Sequence, residues 1–315
     1  MRIQRRMAEW FPLCASALLC NRNFPGPGAT IEAAMHYREF LPNRSLQPFV
    51  KCLWTLRHDY SQSSHSEEQL PPRGEINLIF HYGKPFALHD GKQWVQQPAS
   101  FLIGQQERFF VLRSLGLTGL VAARFHPWGA YPFLSVPASE LTGQFVAMEA
   151  VFGARGGELV ECLANAPSPE NAVTILENFL SLRLRDFDQD LRPVRSVIRQ
   201  IIAERGQLAM GGLLQDQSLS PRQMERRFNE VVGIPPKRLA RIIRFQFTLQ
   251  SIYSNPFRHL TGVAYDHGYA DQSHCISDFK ILLGKTPSMV QREALQGLPA
   301  DFDVEFLQSP ADGFA

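Results

Sequence analysis

The chain has 315 residues, 44% hydrophobic and 20% charged, with a net charge of +2. This is globular composition with length for about two domains. No run of 18 apolar residues is present, which argues against a transmembrane helix. The five cysteines (Cys14, Cys20, Cys52, Cys162, Cys275) are scattered and form no CxxC pair. That argues against a disulfide framework and leads to the expectation of a reduced, cytoplasmic protein without a membrane partner. The charge is uneven: residues 191–293 hold 15 Lys and Arg against 8 Asp and Glu, a net +7, which leaves −5 on the rest. A basic C-terminal third behind an acidic remainder is the asymmetry of a chain that meets a polyanion at one end.

The opening MRIQRRMAEWFPLCASALLC imitates a signal peptide, but Glu9 interrupts its apolar stretch and FPGPGA follows as a turn-rich break. The expectation is a disordered extension over 1–34, with Met35 as an alternative first residue. Residues 44–135 read as β-rich. Short apolar runs (FVKCLWTL, EINLIFHYG, SFLIG, RFFVLRSL, GLVAARF) alternate with Gly, Pro and polar turns, which indicates a sandwich or a cupin-like barrel. The polar YSQSSHSEEQLPPRG is expected to be a surface loop.

Near Pro137 the pattern turns helical. PASELTGQFVAMEAVFG offers Ser139 as an N-cap, with Leu141, Phe145 and Met148 at helical spacing. ARGGELVECLANA predicts another helix, and SPENAVTILENFLSLRLRDF a third, capped by Ser168 with Pro169 at the first helical position. From residue 191 onward the pattern predicts only helices: VRSVIRQIIAERG with Gly206 as its stop, then LAMGGLLQD, SPRQMERRFNEVV, PPKRLARIIRFQFTLQSIYS, HLTGVAYDHG and DQSHCISDFKILLG. Residues 294–315 read as a flexible acidic tail.

Two of these helical segments repeat each other. Phe228, Gly233 and Pro236 recur as Phe279, Gly284 and Pro287, each at an offset of 51. A short helix, a tight turn and a second helix, used twice, is a duplicated helix-turn-helix. In the second unit Gly268 stands where the chain must turn, Ala264 permits close helix approach and Asp271 can cap the next helix. Cys275, Phe279, Leu282 and Leu283 form its buried side. Gln272, Ser273, His274 and Ser277 fall on the opposite side of the first turns, where recognition helices meet base edges. In the first unit Ser220 caps, Pro221 starts the helix, and Met224, Phe228 and Val231 point inward. Arg222, Glu225 and Arg226 point outward, with guanine edges or phosphates as alternative targets of the arginines. Ser218 and Leu214 depart from the Gly and Ala of the second unit. The helix between the units has the length, at about 1.5 Å per residue, to separate two recognition helices by about one DNA turn, roughly 34 Å. Lys237 and Arg238 at its start suit the phosphate backbone.

HLTGVAYDHGYADQSHCISDFKILLGKTPSMVQRE is similar to the second helix-turn-helix of AraC/XylS-type transcription regulators, and SPRQMERRFNEVVGIPPKRLARIIRFQ resembles their first unit and linker helix. The resemblance spans residues 191–293. It implies an α+β chain of two domains: a β-rich effector and dimerisation domain over 35–187 with bridging helices, then an all-α double helix-turn-helix. It implies sequence-specific binding to double-stranded DNA through Arg222, Glu225, Arg226, Gln272, Ser273, His274 and Ser277, with Lys237, Arg238 and Lys280 as further DNA contacts. LQPFVKCLWTL, PPRGEINLIFHYG, SFLIGQ and RFHPWGAYPFL resemble the sensory-type domain found ahead of such modules. A small-molecule effector, a homodimer and RNA polymerase are the further partners it implies.

Other chemistry is weaker. His274 beside Cys275 lacks the further ligands a zinc site needs. His81, His89 and His126 lie in the β-rich part without a compact His-x-His pair. Trp54, His81 and Trp128 are the candidates for an effector pocket, against the plainer reading of aromatic core. No phosphate-binding glycine loop and no GxSxG elbow is present. No catalytic residue, metal or cofactor is therefore expected. The alternatives are a metal-dependent, cupin-like β-barrel enzyme with a helical targeting module, or a pure assembly module.

Overall fold

The computed structural model describes residues 36–60, 67–114, 116–184, 187–207 and 219–296. The expectations for residues 1–34, for LAMGGLLQD, and for Leu214 and Ser218 lie outside the described residues. By compactness the chain divides between Ile243 and Arg244.

The first unit begins with two antiparallel sheets. One has six strands in the order β1 (His36–Phe40), β2 (Val50–Asp59), β9 (Leu117–Phe125), β4 (Asn77–His81), β7 (Ser100–Ile103), β10 (Phe145–Ala147). The other has four: β3 (Glu67–Leu70), β8 (Phe110–Arg113), β5 (Ala87–His89), β6 (Trp94–Gln96). Strand β9 explains the layering. Its run of Leu, Val and Ala has no polar alternation, and every residue after Leu117 is buried. A strand of that kind is covered on both faces. Val121, Ala123 and Phe125 meet Leu53, Leu78 and Leu102 and the helices that follow, while Leu120 and Ala122 join Trp54, Phe86 and Leu112 in a second core. Arg124, also buried, is held by Glu39 at 3.2 Å and Glu75 at 3.6 Å.

Helices α1 (Met148–Phe152), α2 (Ala154–Ala164) and α3 (Pro169–Leu184) cover the six-stranded sheet, through Leu159, Leu163, Val173, Leu176 and Leu180 among others. The Ser168 hydroxyl accepts the Asn171 N–H at 3.2 Å, so the expected cap is in place. Two sequence expectations need correction. The segment after Pro137 is not one helix: it is a 3-10 turn (Ala138–Leu141), strand β10 and the short α1. Phe145, Val146 and Ala147 pair with Ile103, Leu102 and Phe101, because β7 has an open edge there and β-branched and aromatic residues suit it. The expected loop at 60–74 contains strand β3, paired in register with β8 from Glu67↔Arg113 to Leu70↔Phe110. Cross-strand pairing, including the Arg113–Glu67 ion pair at 2.5 Å, outweighs its polar composition.

Helices α4 (Arg192–Ala203), α5 (Pro221–Val232), α6 (Pro236–Ser254), α7 (Leu260–Asp266), α8 (Gln272–Leu283) and α9 (Pro287–Gln296) follow among the described residues. The division at Ile243 falls inside α6, so α4 and α5 belong to the same compact unit as the β-rich part. No helix among the described residues is long and apolar enough to cross a membrane.

Candidate nucleic-acid interface

Among the described residues, the second helices of the two repeats share one build. Helices α5 and α8 each have 12 residues, and both boundaries differ by 51 positions. Each opens on a side-chain cap to the third helical residue: Gln223 N–H to Ser220 at 3.4 Å, His274 N–H to Asp271 at 2.7 Å. Each closes on a left-handed glycine, Gly233 (φ 94°) and Gly284 (φ 76°), followed by a proline that starts the next helix. Phe228 and Phe279 are both fully buried. The caps satisfy the orphan N–H groups of the first turn, and positive φ at glycine lets the chain leave the helix without a Cβ clash.

In the second helix-turn-helix, α7 ends at Asp266 with His267 as its C-cap, and Gly268 (φ 71°) makes the turn. Ala264, Cys275, Phe279, Leu282 and Leu283 are buried, and Phe279 meets Phe245 of α6 edge-on at 4.9 Å. Gln272, Ser273, His274, Ser277 and Lys280 are exposed together on the other side of α8. Burial pushes the Cys275 thiol up to about 12, so it is a neutral core group. The adjacent His274 and Cys275 therefore lie on opposite faces. Asp278 is the unexpected member. It is buried in the apolar stripe and ion-paired with Arg244 of α6 at 3.1 Å. The guanidinium also lies 4.4 Å from the centre of the buried Tyr269 ring.

In the first unit, Arg222, Glu225 and Arg226 of α5 are exposed and Met224, Phe228 and Val231 are buried. The third helical residue differs from its counterpart. Gln223 folds back so that its carbonyl oxygen accepts the Ser220 N–H at 2.9 Å, completing a capping box, whereas His274 extends outward. Lys237 and Arg238 are exposed at the start of α6, and Arg238 ion-pairs with Glu107 at 3.1 Å.

The β-rich part grips α5 at its C-terminal end. Tyr131 donates its hydroxyl proton to Glu230 at 2.6 Å and accepts from Arg227 at 3.1 Å. Arg227 also pairs with Glu230 at 3.0 Å, donates to Gln189 at 2.8 Å and lies over the Tyr131 ring at 5.1 Å. Burial raises the Glu230 carboxyl, but bonds from Tyr131 and Arg227 and nearby positive charge outweigh it and hold it below the usual carboxylate range. The Thr142 hydroxyl donates to the Gly233 carbonyl at 2.7 Å. A Cβ at Gly233 would come within 2.9 Å of both the Ala138 carbonyl oxygen and the Thr142 hydroxyl. None of these contacts was legible beforehand. The Asp278–Arg244 pair did leave a sequence signal: an acid one position before Phe279 of the apolar stripe requires a cation nearby once it is buried.

Trp54 and His81 lie between the two sheets: Trp54 belongs to the core there, and His81 packs on Phe86 at 5.8 Å. Burial pushes the His81 imidazole down to about 4, so it is neutral at pH 7. Trp128 stands elsewhere, stacked on His126 at 4.9 Å and donating to the Pro48 carbonyl at 2.9 Å. His89 packs against Trp94 at 5.1 Å. Among the described residues, no three His, Cys, Asp or Glu side chains gather closely enough to hold a metal ion.

Comparison with known proteins separates the β-rich part from the helical part. Residues 38–147 match a family described as a domain of unknown function (DUF6597), and residues 213–293 match a helix-turn-helix domain family. No curated protein matches the chain. Among solved structures, ToxT from Vibrio cholerae is similar at 12% identity and a TM-score of 0.42, covering 73% of this chain and 99% of ToxT. ToxT from Vibrio cholerae O395 matches at 12% identity and a TM-score of 0.40, covering 73% of this chain and 96% of that one. Helices α5 and α8, each side-chain capped and closed by a left-handed glycine, both lie within the region that matches the helix-turn-helix domain family.

Proposed function

We propose that the chain reads a specific duplex sequence by placing α5 and α8 in successive major grooves. The observation that carries this is the shared build of the two helices, each presenting polar residues from its N-terminal half while its other face is locked in a core. Arg222, Glu225 and Arg226 face one groove, and Gln272, Ser273, His274 and Ser277 the next. Lys237, Arg238 and Lys280 serve the backbone. The domain boundaries of this reading are 35–187 for sensing and 191–293 for DNA.

Control passes through the grip on α5. Tyr131, Thr142 and Glu107 all come from the β-rich part and hold Arg227, Glu230, Gly233 and Arg238, so a change in that part changes how α5 is presented. The space between the sheets is the place for a small apolar effector. Trp54 and His81 bring an indole N–H and two ring nitrogens there without a hydrogen-bond partner, and such groups favour a ligand with a polar end. Contact with RNA polymerase and a second copy, in the cytoplasm, belongs to the same reading. Selection of fragments from genomic DNA by the purified chain, with and without metabolite extract, tests it. Enrichment of a common motif whose occupancy changes with extract is the expected result. Retention without sequence preference would defeat it.

A further inference from the structure

We propose that Arg244, which lies on neither reading helix, is a positioning residue for base recognition: one guanidinium anchors α8 through Asp278 and fixes the His274 ring as a hydrogen-bond donor. The proposal rests on the reading that α8 meets base edges.

The geometry is compact. Arg244 Nη2 stands 3.1 Å from Asp278 Oδ2 and 3.4 Å from His274 Nε2. Asp278 and His274 are four residues apart, hence neighbours on the helix surface, one buried and one exposed. Tyr269 completes the cluster, its ring lying under the guanidinium at 4.4 Å and edge-on to His274 at 5.3 Å. The Asp278 and Arg244 side chains are only 2% and 15% exposed, so the pair is shielded from the screening that weakens surface ion pairs. Removing either partner alone leaves a buried charge, which makes the anchor stiff.

The consequence for His274 follows from the donor inventory. Arginine only donates, so a hydrogen bond at this contact has Nε2 of His274 accepting and selects the tautomer with the ring proton on Nδ1. An imidazole held at the exposed N-terminal turn of α8 with its Nδ1 proton outward offers DNA a donor. It favours purine N7, guanine O6 or thymine O4 over the cytosine amino group. The equivalent position in α5 is Gln223, whose side-chain carbonyl oxygen is committed to the capping box. The two reading helices therefore use this position differently, and Arg244 is the reason that the second one can read with it.

The test starts from a randomised duplex library selected against the wild-type chain. The most enriched duplex serves as the specific site and a scrambled duplex as the control. Arg244→Lys keeps a cation for Asp278 but lacks the planar fork that serves two partners. It should lose about tenfold on the specific site and about twofold or less on the control, and relax selectivity at the base opposite His274. In a double-mutant cycle, Arg244→Lys with His274→Ala should bind no worse than His274→Ala alone. Arg244→Met with Asp278→Leu removes the ion pair as a unit and keeps the fold, yet it should lose the same selectivity. An unchanged base profile in Arg244→Lys, or losses in the double variant that simply multiply, would overturn the proposal. If the wild-type chain enriches no sequence, the DNA reading itself fails and this inference with it. Enrichment with an indifferent Arg244 defeats only the inference.

Discussion

Tyr131→Phe isolates the grip of the β-rich part on the first reading helix. It deletes one hydroxyl and keeps the ring, so the Arg227 cation–π contact at 5.1 Å survives. What is lost is the bond to Glu230 at 2.6 Å and the bond from Arg227 at 3.1 Å. Hydrogen bonds to charged groups are worth about 1.5–3 kcal/mol each. Arg227 and Glu230 remain paired to each other, and at 23% and 38% side-chain exposure both are reachable by water. The expected net cost is therefore about 1–2 kcal/mol, or a fall of roughly 2–6 °C in the unfolding midpoint. Acid should mimic the mutation. Glu230 is held below its usual carboxylate range, so its contribution is complete above the ordinary Glu pKa and lost as pH falls through the lower folded value. Thermal unfolding of wild type and Tyr131→Phe from neutral pH downward should show a gap that closes in acid. DNase footprinting should show weaker protection at the end of the site read by α5. A gap that is absent at pH 7, or that persists unchanged to the lowest pH, refutes the mechanism.

Other expectations are more direct. Binding to DNA should weaken linearly in log affinity against log salt, because each phosphate contact releases counterions; a flat dependence would contradict backbone contacts by Lys237, Arg238 and Lys280. Gln272→Ala should cost about 1–3 kcal/mol on the selected site and little on random duplex, measured by fluorescence anisotropy; equal losses on both would remove Gln272 from base reading. Gly233→Ala should destabilise the chain by about 2 kcal/mol or more, since positive φ adds to a 2.9 Å approach to Ala138 and Thr142. Denaturant unfolding would measure it, and a neutral result would mean that the turn relaxes away from the β-rich part. Phe279→Ala should cost about 3–5 kcal/mol by the same assay, since its fully buried ring packs on Phe245 between α6 and α8.

Much of the C-terminal architecture was legible because its signals are local. Caps at Ser220 and Asp271, positive-φ glycines at 233, 268 and 284, and the apolar spacing of Phe228 and Phe279 act within one or two helical turns. The β-rich part was legible as class but not in detail. Strands β3 and β10 depend on partners far along the chain, at β8 and β7, and strand pairing of that kind leaves no local pattern.

By itself, the sequence determined which residues are buried and which are exposed on each reading helix, because 3.6-residue periodicity separates Cys275 and Phe279 from Gln272 and His274 without reference to the rest of the chain. It also determined where those helices start and stop. Only the tertiary structure decided what holds them in place. Asp278 meets Arg244 across 34 positions of chain, and Tyr131 meets Arg227 and Glu230 across nearly a hundred. A buried acid announces that a cation is needed but not which of the chain's many arginines supplies it. That choice is made by packing, when burial of the apolar faces brings two distant charges within reach and removes the water that would otherwise screen them.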